Sequence, residues 1–110
     1  MGKQGLGEFE LMVLLAAIRL GEDDAYPVSI GDDIERHTGR AVQPASVYVT
    51  LQRLGEKGMV SSRMGDPLPE HGGRARRLIL VEPDGLAAVR ATRAAFTSMW
   101  KGLGPVLDEP

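Results

Sequence analysis

The chain has 110 residues, 43% hydrophobic and 25% charged, with a formal net charge of −2 and no cysteine. That length suits one domain whose lone core would be marginal, a size at which oligomerisation is a common remedy, and the lack of cysteine excludes disulfides and thiolate metal sites. No apolar run approaches a membrane span and the opening MGKQGLGEFE lacks a signal-peptide core, so the expectation is a cytoplasmic protein with no membrane partner.

The net charge hides a division along the chain. Residues 1–35 carry two cations and eight acids, residues 36–77 eight cations and three acids, and residues 78–110 three cations and four acids. A locally basic segment matters more for an anionic partner than the total does.

From Glu8 the pattern EFELMVLLAAIRL predicts a helix, with Phe9, Met12, Ala16 and Leu20 in line and Leu11, Leu15 and Ile18 beside them. This apolar arc is wider than a helix covered on one side needs, so a second partner is expected against it. Gly21 ends the helix and the acidic loop GEDDAYP follows. A short helix is predicted over residues 29–38, with Ser29 as N-cap, Asp32 three residues on, and Ile30 and Ile34 facing inward. His37 lies four residues after Asp33, a metal-compatible spacing, but one other histidine and no cysteine leave a ligand set too poor for a metal site.

After Gly39 and a brief RAV, the stretch QPASVYVTLQRLGEKGMV opens on Pro44, suited to the first turn of a helix. Val47, Leu51 and Leu54 recur at core spacing. Ser46, Val49, Thr50, Arg53 and Lys57 are expected on the opposite side, with Tyr48 at the margin and Gly55 and Gly58 closing the helix. Ser46 and Thr50 carry hydroxyls able to reach a phosphate or a base edge. Tyr48 is open between a phosphate contact and an anchor to the core. Lys57 is expected to be a solvated charge. A helix, a tight connection with glycine and a second helix with a polar face are the order of a helix-turn-helix.

Residues 59–64 and 76–81 read as two strands joined by the loop GDPLPEHGGR, a hairpin tipped with Arg74, Arg76 and Arg77 that outlines a wing. Strand alternation puts Arg74 and Arg76 on one side and Arg77 on the other. A long helix is expected from Pro83 to about Lys101, with Leu86, Val89, Phe96, Trp100 and Leu103 in a heptad-like rhythm broken at Arg93. So long a helix needs more core than one small domain offers, and packing against a second copy is the economical solution. Phe96, Met99 and Trp100 would form either dimer packing, the favoured reading, or an apolar platform for a planar ligand. The acidic run Glu22-Asp23-Asp24 has no nucleophile or phosphate-binding motif nearby and reads as a solvated loop, and neither GxxxxGK[ST] nor GxSxG occurs, so no enzyme is expected.

The stretch PASVYVTLQRLGEKGMV, with AYPVSIGDDIE before it and GGRARRLILVEPDG after it, resembles the PadR family of winged-helix transcriptional regulators over residues 9–103. The single final helix resembles the short PadR-like subtype. The chain departs from the family pattern at Pro27, usually glycine, at Val28, often aromatic, at Leu78 and Ile79, usually aromatic, and at Glu82, usually threonine. The resemblance implies a mostly α fold with a small β-hairpin wing. Residues 1–82 would form a winged helix-turn-helix, residues 83–104 a C-terminal dimerisation helix and residues 105–110 a tail. It further implies a homodimer through the first and last helices on a pseudo-palindromic double-stranded DNA operator, usually as a repressor released by a small aromatic or cationic effector, with no cofactor. The positions it assigns to DNA are Gln43, Ser46, Tyr48, Val49, Thr50 and Arg53 on the helix and Arg74, Arg76 and Arg77 on the wing. The alternative from another class is a winged-helix protein–protein module that turns the same basic face to an acidic partner.

Overall fold

The computed structural model describes residues 5–67, 72 and 75–109. Its elements are α1 (Glu8–Leu20), α2 (Pro27–Thr38), α3 (Pro44–Glu56), β1 (Val60–Pro67), β2 (Ala75–Val81), α4 (Pro83–Trp100) and a four-residue α5 (Gly104–Leu107).

Helix α1 begins where the Glu10 carboxylate accepts the Gly7 N–H at 2.9 Å, and ends at Gly21, whose φ of +85° suits a residue without Cβ. Val13, Leu14, Ala16 and Ala17 are buried, joined by Phe9, Met12 and Leu20 at the edge of the core. Leu15 and Ile18 are instead 40% and 39% exposed. The wide apolar arc therefore has one side in the domain and one side uncovered within the chain.

The start of α2 differs from expectation. The helix begins two residues earlier, at Pro27, so Ser29 is its third residue and not its N-cap. Ser29 Oγ accepts the Tyr26 N–H at 3.0 Å and donates to the Asp24 carbonyl at 2.6 Å, which ties the acidic loop to the helix entry. Pro27 takes the N1 position, where its missing N–H costs nothing. Ile30 and Ile34 are buried, as their spacing requires. At the other end Gly39 adopts φ +72°, and the Glu35 carboxylate accepts the Val42 N–H at 2.7 Å, closing the turn into α3.

Val47, Leu51 and Leu54 of α3 meet the core beneath α1 and α2. The hairpin is antiparallel and pairs Val60 with Val81, Ser62 with Ile79 and Met64 with Arg77, with an irregularity between Met64 and Pro67. Strand β1 thus runs three residues into the segment expected to be loop. Its partner β2 has a second edge contact, because Ile79 N–H donates to the Ala25 carbonyl at 2.8 Å. That bond anchors the wing to the loop before α2.

Helix α4 crosses the base of the hairpin at Gly85, which is buried against the Met59 carbonyl. Val89 still touches the core, but from Arg93 onward every residue of α4 is exposed. At about 1.5 Å per residue the helix is some 27 Å long, and its last two turns extend beyond the domain. The helix stops at Trp100, four residues short of the end expected for the dimerisation helix, and after a turn with Gly102 at φ +83° the chain forms α5, which straddles the boundary expected between helix and tail.

Candidate nucleic-acid interface

The side of α3 away from the core is defined by which residues its neighbours leave uncovered. Ala45, Val49, Gln52 and Glu56, spaced i, i+4, i+7 and i+11, run along the middle of that side and are exposed. Tyr48 forms one flank. It is 54% exposed and lines the groove between α3 and the hairpin, so it does not anchor the helix to the core. Ser46 and Arg53 form the other flank, and Gln43 is exposed just before the helix.

Thr50 was expected on this face and is not there. It is 6% exposed, on the border of the buried arc. Gln52 lies in the middle of the face, although sequence reasoning passed over it. The signal that could have found it is its spacing from Val49 and Ala45, once the helix is turned to bury Thr50.

Lys57 is a second correction. Its Nζ donates to both Glu10 carboxylate oxygens, at 3.1 and 2.9 Å, and its side chain is 26% exposed, so it clamps the end of α3 to the start of α1. Burial by itself would raise the Glu10 carboxyl. The Gly7 N–H, Lys57 and the nearby charge of Arg53 outweigh it and hold that carboxyl below its ordinary value.

The same pattern recurs along the basic segment. Arg40 pairs with Glu8 at 2.8 Å, Arg63 with Asp23 at 3.0 Å, and Arg36 shares the buried Asp33 with Arg19, each at 3.2 Å. His37 completes that cluster. Arginine can only donate, so the 2.7 Å contact from Arg19 makes His37 Nε2 an acceptor, and Nδ1 donates to the Asp33 carbonyl at 2.9 Å. Both ring nitrogens are engaged. Much of the charge division along the chain therefore serves pairing within the domain.

The hairpin separates its arginines. Arg76 lies with its guanidinium 5.3 Å from the centre of the Tyr26 ring, on the face turned toward the loop before α2, and its Nε is buried without a partner among the described residues. It is a packing residue, against the expectation of a wing tip. Arg77 points to the other face, is exposed, and lines a groove of about 540 Å³ with Tyr48, Val49, Gln52 and Ser62. Arg74 lies outside the described residues. The arrangement is a helix face and a strand-borne cation on two walls of one open groove, which suits a polyanion carrying polar edges.

Phe96, Met99 and Trp100 are brought together elsewhere, at the far end of α4. They are 50%, 78% and 57% exposed, and the Phe96 and Trp100 rings meet edge-to-face at 5.6 Å. No three potential metal ligands cluster among the described residues, and no described helix is long and apolar enough to cross a membrane.

No protein-family model and no curated protein matches the sequence. Solved structures do match in shape. A PadR family transcriptional regulator from Eggerthella lenta is 21% identical, with a TM-score of 0.66 over 94% of this chain and 88% of its own. A PadR family regulator from a hypervirulent Clostridium difficile strain is 15% identical, with a TM-score of 0.71 over 92% of this chain and 99% of its own. BpsR of Bordetella bronchiseptica, whose DNA binding is regulated by 6-hydroxynicotinic acid, is 21% identical, with a TM-score of 0.64 over 96% of this chain and 74% of its own. Over more than nine-tenths of its length, the chain has the winged-helix fold of PadR family transcriptional regulators.

Proposed function

We propose that this chain is a DNA-binding transcriptional regulator, a repressor that acts in the cytoplasm as a homodimer on a pseudo-palindromic operator. The observation that carries the reading is the open groove between α3 and the wing, with Tyr48, Val49 and Gln52 on one wall and Arg77 on the other. Helix α3 would enter the major groove of each half-site, with half-site centres about 34–36 Å apart or a multiple of that. Gln43, Ser46 and Arg53 flank the entering face, and Arg77 meets the phosphate backbone beside it.

The dimer would be built from the uncovered side of α1, with Leu15 and Ile18, and the exposed end of α4, with Phe96 and Trp100, continued by Leu103 in the turn before α5. One small chain cannot cover that much apolar surface, and a second copy can. An effector is proposed in the same place. Two symmetry-related sets of Phe96, Met99 and Trp100 would offer flat apolar walls to a planar aromatic molecule, in keeping with the aromatic acid that regulates BpsR. No step of this function is catalytic.

A gel shift with the DNA upstream of the chain's own gene tests the reading. The expected result is a sequence-selective shift that weakens steeply with salt. Binding with no sequence preference or salt dependence would refute it and favour an acidic protein partner. Light scattering after size exclusion tests the dimer, which a monomer at micromolar concentration would refute.

A further inference from the structure

On the DNA-binding reading above, we propose that Gln52 is the specificity-determining residue of α3 and that it reads an adenine in each half-site. Three observations lead there. Gln52 is exposed in the middle of the free face of α3 and lines the groove shared with the wing. None of the hydrogen bonds among the described residues engages its amide, which leaves one donor and one acceptor side by side. In the major groove only adenine presents the matching pair, with N7 accepting from the amide N–H and the N6 amino group donating to the amide oxygen.

The neighbours support the choice of base. Guanine is read in the major groove chiefly by arginine or lysine, and neither occupies the middle of the face. Arg53 stands on the α1 flank, where its charge is felt by Glu10. Lys57 is held by the same carboxylate. Val49, one turn before Gln52 and 46% exposed, offers an apolar contact to a thymine methyl. The side chains lengthen along the strip from Ala45 through Val49 to Gln52. That gradient fits a helix whose N-terminal end lies deepest in the groove, because each later residue must reach further to the base edges.

Selection from a random duplex pool with the full chain tests the proposal, followed by affinity measurements on the selected duplex. The wild-type protein is expected to select an A·T pair at one position of each half-site. Gln52→Ala, and Gln52→Met at nearly equal length, should lose that preference and keep the others. Discrimination at the position should fall from roughly 5- to 150-fold to about one. A duplex with 7-deazaadenine at that position lacks the N7 acceptor. It should bind the wild-type protein several-fold more weakly than the adenine duplex, and bind Gln52→Ala no more weakly. An unchanged preference in both variants, or an equal 7-deaza effect on wild type and variant, would overturn the assignment while DNA binding stands. A wild-type protein that selects no sequence would overturn the DNA-binding reading and this assignment together.

Discussion

Replacing Gly85 by alanine separates helix propensity from packing, because the two predict opposite signs. Gly85 lies in the first turn of α4, and by propensity alone alanine would stabilise a helix by about 0.5–1 kcal/mol. Here a Cβ would lie 2.4 Å from the Met59 carbonyl oxygen and 2.9 Å from Val81 Cγ1. That oxygen is backbone and already accepts the Glu82 N–H at 2.8 Å, so it cannot yield without moving the strand or breaking the bond. Overpacking of this kind costs about 1–3 kcal/mol, and a lost hydrogen bond about 0.5–1.5 kcal/mol more. After the propensity gain is subtracted, the net expectation is a loss of about 0.5–4 kcal/mol. Urea unfolding at fixed protein concentration reads this as a lower midpoint at similar slope. Gly55→Ala is the matched control. Its nearest atom, the Val60 carbonyl oxygen, would be at 3.9 Å, so that variant should be at least as stable as wild type. A Gly85→Ala protein as stable as Gly55→Ala would refute the account of how α4 seats on the hairpin.

The clamp between α1 and α3 predicts a pH dependence. The folded Glu10 carboxyl is held below its unfolded value, so its stabilisation is complete above the ordinary carboxylate range and is lost as pH falls through and below it; Lys57→Met should flatten the acid limb of the stability profile, read by denaturation between about pH 3 and 6. The two wing arginines should behave differently. Arg77→Ala should weaken binding to all DNA sequences and lower the salt slope by about one, whereas Arg76→Ala should lower stability by about 0.5–2 kcal/mol and leave the salt slope alone, through loss of its place on Tyr26. Phe96→Ala with Trp100→Ala should shift the chain toward monomer in light scattering without lowering its helix content, since both side chains are exposed in the single chain.

The order of elements was legible because it is written in local chemistry. Pro44 and the spacing of Val47, Leu51 and Leu54 predicted α3 within a residue or two of its ends. Gly21 and Gly39 stop α1 and α2 where backbone freedom is needed, and both adopt positive φ. Period-two alternation correctly put Arg76 and Arg77 on opposite sides of β2. The entry to α2 was misplaced by two residues because Ser29 has two local uses. A hydroxyl followed by an acid three residues on suggests an N-cap, but Ser29 serves equally well as the residue that closes the turn from inside.

What the amino-acid sequence determined by itself was therefore the succession of the first four helices, turn and hairpin, the core stripes of α2 and α3, and the apolar stripe of the last long helix; the most deeply buried residues of α1, Val13 and Leu14, fell outside its predicted line. The tertiary structure alone decided how α3 is turned about its own axis. Positions at the edge of an amphipathic face go in or out according to what packs beside them, and only the packing of the whole domain buries Thr50 and leaves Gln52 exposed. It also decided which cations remain for a ligand. Lys57 and Arg63 find their acids 47 and 40 residues away, at distances a local reading cannot see. Arg77 is left facing the groove for the same reason, because β2 turns it toward α3 while Arg76 is taken up by Tyr26.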